Sequence, residues 1–192
     1  MRQNLARRSA LVDAAIEVLA RDGARGLTFR AVDVEAAVPK GTASNYFTSR
    51  DELLNQAGHR IYERLIPDEA TVAGMVTGPH TRERTAELVR QVVERVAAFR
   101  TGFLALLELR LEATRRPELR AVLTARVAED VEQNVTQHLA SGLPGDGDAV
   151  RMLYLATNWL VVERLTLPGV FSEEEAERLI GELVERVLPS GP

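Results

Sequence analysis

Apolar residues recur every third or fourth position along most of the chain, and glycine and proline fall between these stretches. That pattern predicts helix almost throughout. No run alternates apolar and polar residues singly, as a half-buried strand would. The first periodic stretch spans about Arg7 to Asp22, with Val12, Ile16 and Leu19 on one face and Leu11, Ala15 and Val18 widening it; Gly23 stands where a helix would end. Thr28 is placed to cap a second helix, Phe29 to Ala36, with Phe29, Val32 and Ala36 at core spacing. A third and shorter helix, Lys40 to Phe47, buries Ala43 and Phe47. Ser49 then caps a long fourth helix that carries Asp51 and Glu52 in its first turn, at the positive end of the helix dipole. Pro67 is expected to kink or end it.

Gly78 and Pro79 separate this helix from a fifth, Thr81 to Arg100, and the apolar run Gly102 to Ala113 follows. Pro117 restarts a helix reaching about Ala140, and the run SGLPGDGD is the clearest loop. Asp146 or Asp148 caps a helix extending to Leu167, Pro168–Gly169 breaks the chain, and Ser172 with Glu175 forms a capping box for a last helix ending before Pro189. The fold class expected is all-α: a three-helix head, residues 1–50, joined by a long helix to a helical bundle, residues 51–192.

The head carries the most specific chemistry. A helix that reads the major groove must be short, supported from behind and free of bulk on its outer face. Pro39 to Phe47 holds little besides small, hydroxylated, amide, basic and aromatic residues. Gly41 lets the backbone approach phosphate, while Thr42, Ser44 and Asn45 offer donors and acceptors to phosphate oxygens or base edges. Tyr46 reaches phosphate through its hydroxyl, Lys40 and Arg50 flank the unit as charge contacts, and Thr28 starts a helix whose N–H groups face phosphate.

These residues resemble the N-terminal domain of the tetracycline-repressor (TetR) family of bacterial regulators, whose pattern is close to T-x-R-x-I-A-x-x-A-G-V-S-x-G-T-L-Y-x-Y-F-x-S-K-x-x-L. Thr28 and Arg30 match its opening; Ala36, Val38, Gly41, Thr42, Tyr46 and Phe47 match the turn and recognition helix; Ser49, Arg50 and Leu53 match its close, with arginine for lysine. The resemblance adds Arg30 to the candidate DNA contacts. Three departures stand out. Ala37 replaces the turn glycine, Pro39 replaces the capping serine, and Ser44 replaces the first tyrosine.

Charge fits this division. Residues 1–65 carry a net charge of +2 and residues 66–192 a net of −6, within a total of −4. A mildly basic head on an acidic body offers one end to a polyanion, and Lys40 is the only lysine. The absence of cysteine removes disulfides, thiolate metal sites and thiol nucleophiles. His59, His80 and His138 lack metal-ligand spacing, and no carboxylate pair or serine sits in a catalytic arrangement, so neither catalysis, metal nor cofactor is expected. Asp13, Glu17 and Arg21 interrupt any signal-peptide core and no stretch is apolar enough to span a membrane, which makes a cytoplasmic location the expectation.

For the body, the resemblance implies an effector pocket among the middle helices and a homodimer through the last two. Candidate pocket residues are Phe99, Phe103, Leu106 and Leu107 from the middle helices and Met152, Asn158 and Trp159 from the penultimate one. Candidate interface residues are Leu153, Leu160 and Val161 on one stripe and Leu179, Leu183 and Val187 on another. Glu108, Arg110 and Glu112 read as an exposed charged face, with a buried polar anchor as the alternative. A dimer also follows from recognition, because two heads on a two-fold axis read a palindrome. The function expected is a sequence-specific DNA-binding regulator, in the family's manner a repressor released from a palindromic operator by a small molecule. The alternative is a helical ligand-binding or protein-interaction module that has lost specific DNA binding.

Overall fold

Caps and breaks in the sequence set where each helix starts and stops. The computed structural model describes residues 4–66, 74 and 77–189, and among them every regular element is a helix. Asn4 caps α1 (Leu5–Gly26), its side-chain oxygen accepting the Arg7 N–H at 3.2 Å. The helical conformation breaks at Gly23, with φ at +68°, as the sequence predicts. Thr28 caps α2 (Phe29–Glu35) by accepting the Ala31 N–H at 3.1 Å. After a turn comes α3 (Thr42–Tyr46), and Ser49 caps α4 (Arg50–Leu65) by accepting the Glu52 N–H at 3.0 Å. Pro67, expected to bend or end α4, lies outside the described residues.

Next come α5 (Arg82–Ala98), α6 (Arg100–Ala113), α7 (Pro117–Ser141), α8 (Gly147–Thr166) and α9 (Glu173–Val187). Asp146 caps α8, and the predicted capping box of Ser172 and Glu175 opens α9. None of these helices is long and apolar enough to cross a membrane.

The α5–α6 break falls earlier than the sequence suggests. It lies at Phe99 (φ −94°, ψ 50°), and Gly102 continues inside α6. A Cβ at Gly102 would come within 2.1 Å of the Phe99 ring, so this glycine is a point of close approach and not a helix end. The Arg64 guanidinium stacks over the same ring at 4.0 Å.

The chain forms two compact units, residues 1–66 with 99–126, and residues 67–98 with 127–192. In the first, α1 packs on α2, α4 and α6, α2 packs on α3, and α4 packs on α6. Its core includes Leu11, Ile16, Leu19, Leu27, Val32, Phe47, Leu53, Leu54, Ile61 and Leu109, all essentially inaccessible to solvent. Glu108 is one of the places where the exposed-face reading fails: its Oε2 accepts the Ala24 N–H at 3.0 Å, just after the Gly23 break. Glu112, 12% exposed at its side chain, pairs with Arg115 and Arg116, and only Arg110 lies fully on the surface. In the second unit α5, α8 and α9 pack together around Ala86, Ala149, Leu153, Val184 and Leu188.

Between α2 and α3 the backbone takes a left-handed conformation twice, at Ala37 (φ +51°) and at Gly41 (φ +90°). A Cβ disfavours that region by about 1–2 kcal/mol, so Ala37 carries strain that Gly41 avoids. Ala37→Gly is therefore expected to raise Tm by about 1–3 °C and Gly41→Ala to lower it by about 2–6 °C. Scanning calorimetry of the two variants checks the opposite signs.

Candidate nucleic-acid interface

The recognition helix is only five residues long, shorter than the expected Lys40 to Phe47, because the left-handed Gly41 delays its start to Thr42 and Phe47 is already extended. A helix this short does not persist alone in water, since it closes too few hydrogen bonds to offset nucleation. Neighbouring side chains hold it at both ends.

At its start, the Asp33 carboxylate of α2 accepts the Gly41 N–H on Oδ2 and the Ala43 N–H on Oδ1, both at 2.7 Å. Asp33 is 3% exposed. At its finish, Arg8 of α1 donates through Nη1 to the Tyr46 carbonyl and through Nη2 to Glu52 Oε1, both at 2.6 Å. The same guanidinium lies 4.6 Å from the centre of the buried Phe47 ring. Glu52 completes the clamp from α4, its Oε2 accepting the Thr48 N–H at 2.7 Å and the Thr48 hydroxyl at 2.8 Å. The Thr48 N–H bond, followed by Arg8, holds the Glu52 carboxyl below the ordinary glutamate range.

On the outer side, Thr28, Arg30, Lys40, Ser44 and Asn45 are exposed, and Gly41, Thr42 and Tyr46 are partly so. Eight of the nine DNA-contact candidates are thus at least partly accessible on α2, its cap, the turn and α3. The Thr42 hydroxyl donates to the Pro39 carbonyl at 2.5 Å and the Ser44 hydroxyl to the Gly41 carbonyl at 2.9 Å, leaving their oxygen lone pairs outward. Gly41 presents no N–H to phosphate, because Asp33 already takes it; a Cβ there would meet nothing within 4 Å, so its backbone angle is what requires glycine. Arg50 is placed differently from the expectation. Its Nε donates to the Leu27 carbonyl at 3.1 Å and its Nη2 to the Ala24 carbonyl, where it closes the end of α1.

Sequence reasoning missed Asp33, Arg8 and Glu52. Asp33 left one trace, an acidic residue where the family pattern has alanine. Arg8 left none, since its partners lie 38 and 44 positions away.

The pocket candidates divide between the two units, four in the first and three in the second. Phe103 and Leu106 are core, Leu107 is half-buried, and Phe99 packs under Arg64 in the first unit. In the second, Trp159 is 64% and Met152 50% exposed, while Asn158 donates to the Tyr154 carbonyl at 2.8 Å. The first unit has a crevice of about 390 Å³ between the start of α4 and the α6–α7 turn, and the second one of about 400 Å³ beside the α8–α9 loop; no pocket candidate lines either.

Burial overturns two of the interface candidates, Leu153 and Val161, and leaves the other four partly accessible. Leu153 and Val161 are 5% and 1% exposed, turned into the unit's own core, and Leu183 and Val187 pack against that core. Leu160 lines the α8–α9 crevice, and Leu179 is half-buried. The apolar side chains that α8 leaves in solvent are instead Met152, Leu155 and Trp159, in one stripe.

Two family profiles match the chain. Residues 11–57 match "Bacterial regulatory proteins, tetR family", and residues 80–190 match "Tetracyclin repressor-like, C-terminal domain". Over 147 residues the chain is 33% identical to the HTH-type transcriptional regulator BetI of Rhizobium meliloti (strain 1021), covering 76% of this chain and 70% of that one. It is 26% identical over 136 residues to the HTH-type nicotine-responsive transcriptional repressor HdnoR of Paenarthrobacter nicotinovorans, covering 70% and 68%. Among solved structures it resembles a TetR-family member from Streptomyces coelicolor A3, at TM-score 0.70, 30% identity and 96% and 99% coverage. It also resembles the multidrug binding protein EbrR complexed with ethidium, at TM-score 0.67, 27% identity and 96% and 99% coverage.

The Glu52 clamp has a pH signature. A carboxyl held below its unfolded value contributes stability above about pH 4.5, and that contribution is lost as pH falls through the folded value. Glu52→Gln is expected to melt a few degrees below the wild type at pH 7, with the gap closing below about pH 4. Paired thermal melts from pH 7 to pH 3 check this.

Proposed function

The chain belongs to the tetR family of bacterial regulatory proteins and is a helix-turn-helix transcriptional regulator, and from that premise we propose that it is a homodimeric repressor of the cytoplasm, released from a palindromic operator by a small organic effector. One observation carries the DNA side of this reading: a recognition helix fixed at both ends, polar on its outer face at Thr42, Ser44 and Asn45, with Lys40 exposed in the turn before it and Arg30 exposed on α2. Arg30, Lys40 and Thr28 act on phosphates, while Asn45 and Thr42 meet base edges, where an amide pairs adenine bidentately. Arg50 is left out of the contact set because backbone carbonyls occupy its guanidinium. Binding by the head requires no catalytic group.

Dimerisation rests on the Met152, Leu155 and Trp159 stripe. Three large apolar side chains at 50%, 69% and 64% exposure on one helix face favour burial against a second copy. A two-fold pair of heads then doubles the sequence read. The effector reading rests on the match of residues 80–190 to the C-terminal profile and on relatives named for nicotine response and ethidium binding. An effector acts by favouring a head arrangement that no longer fits successive grooves.

The test is a titration with DNA flanking the protein's own gene, in the presence of competitor DNA. Saturable binding to a palindrome is expected. Lys40→Ala and Arg30→Ala should weaken binding to all sequences and each lower the salt slope by about 1, whereas Asn45→Ala should change the preferred sequence. Binding unchanged by all three substitutions would contradict the assignment. The dimer is tested separately: Leu155→Glu is expected to shift the protein to monomer in sedimentation and to weaken operator binding by about 100-fold or more.

A further inference from the structure

We propose that Asp33 is a positioning residue for DNA reading, the group that fixes the start of the recognition helix where the chain entering that helix has no cap of its own. The proposal rests on the reading of α3 as the DNA-facing helix. Three residues precede α3, and none carries a side-chain acceptor: Pro39 has a hydrocarbon ring, Lys40 only donates, and Gly41 has no side chain. The Thr42 and Ser44 hydroxyls donate backwards to the Pro39 and Gly41 carbonyls and do not serve the N–H groups. The segment satisfies the Thr42 N–H through the Pro39 carbonyl at 3.1 Å, but it offers the Gly41 and Ala43 N–H groups no side-chain cap of its own, which a helix start needs.

Asp33 supplies what is missing from another helix. Both its oxygens are used, one on the Gly41 N–H and one on the Ala43 N–H, at 2.7 Å each. Its own carbonyl accepts the Val38 N–H at 3.0 Å, so one residue ties down the turn and the helix that follows. The dependence runs both ways. A carboxylate at 3% exposure needs hydrogen-bond donors, and donors at the start of α3 need an acceptor. The helix cannot slide or rotate on α2 without stranding a buried charge. That fixes the direction in which Thr42, Ser44 and Asn45 face the groove.

Two substitutions and a rescue test this. Asp33→Ala removes both acceptors, and Asp33→Asn, the milder variant, keeps one oxygen. Pro39→Ser places a hydroxyl two residues before Gly41, within reach of that N–H but not of the Ala43 N–H. Amide exchange by NMR on the DNA-free protein reads the cap directly; operator titration reads its consequence. Asp33→Ala is expected to speed exchange at Gly41 and Ala43 by about 10-fold or more and to weaken operator binding by about 10- to 100-fold. Asp33→Asn should fall between it and the wild type. Adding Pro39→Ser to Asp33→Ala should restore protection at Gly41 alone and recover part of the affinity.

Unchanged exchange at both amides in Asp33→Ala overturns the proposal, whatever the DNA result. So does faster exchange with operator affinity intact, because the cap then does not position the reading face. An affinity loss that Pro39→Ser leaves untouched, together with faster exchange across the whole first unit, makes Asp33 a general stability residue and also overturns it. A wild type that holds no operator, with Gly41 and Ala43 protected, contradicts the DNA reading itself, and so separates that failure from a failed cap.

Discussion

A helix of five residues cannot stabilise itself, and the arrangement of the first unit answers that constraint. The Asp33 carboxylate takes two N–H groups at its start, and the Arg8 guanidinium takes the Tyr46 carbonyl at its end. Arg8 also joins Glu52, so α1 meets the end of α3 and the start of α4 at one point, 38 and 44 positions further along the chain. Behind the clamps, Ala43 and Phe47 are buried, which leaves α3 one face for packing and one for solvent. The polar character of that outer face becomes useful only because the helix behind it is held still. A loose five-residue segment with the same side chains would give up any gain in contacts to conformational entropy.

Much of this fold was legible in the sequence, because its strongest signals are local. Thr28, Ser49, Asp146 and Ser172 cap the helices they begin, and the break at Gly23 falls at the predicted place. The place of the turn was legible as well: Ala37 stands where the family pattern has glycine, and it takes φ of +51°. What stayed hidden was long-range. Arg8 and Asp33 act through partners on other helices, and no spacing rule connects an arginine in the first helix with a carbonyl at the end of the third. Arg50 shows the reverse case, a charge in the expected place whose guanidinium turns inward to close α1.

The second unit was less legible for a physical reason. Helix α8 is apolar on more than one side, so periodicity identifies stripes without saying which of them meets the rest of the unit. Leu153 and Val161 face inward with Ala149 and Val150, and Met152, Leu155 and Trp159 face out. Trp159, a pocket candidate from its place in this apolar helix, stands 64% exposed on the same stripe as Met152 and Leu155. A similar ambiguity carried the fifth helix on to Arg100 and began the next run at Gly102, whereas the break lies at Phe99 and the missing side chain of Gly102 seats the Phe99 ring.

The central claim is that the α2–turn–α3 surface, held by Asp33 and Arg8, is where this protein meets DNA. Amide chemical-shift mapping with a genomic fragment selected by the purified protein addresses it most directly. The account predicts shifts concentrated at Thr28 to Arg30 and Lys40 to Tyr46, saturating at one fragment per dimer. Shifts centred elsewhere, or a bound fragment that leaves these amides unmoved, would contradict it.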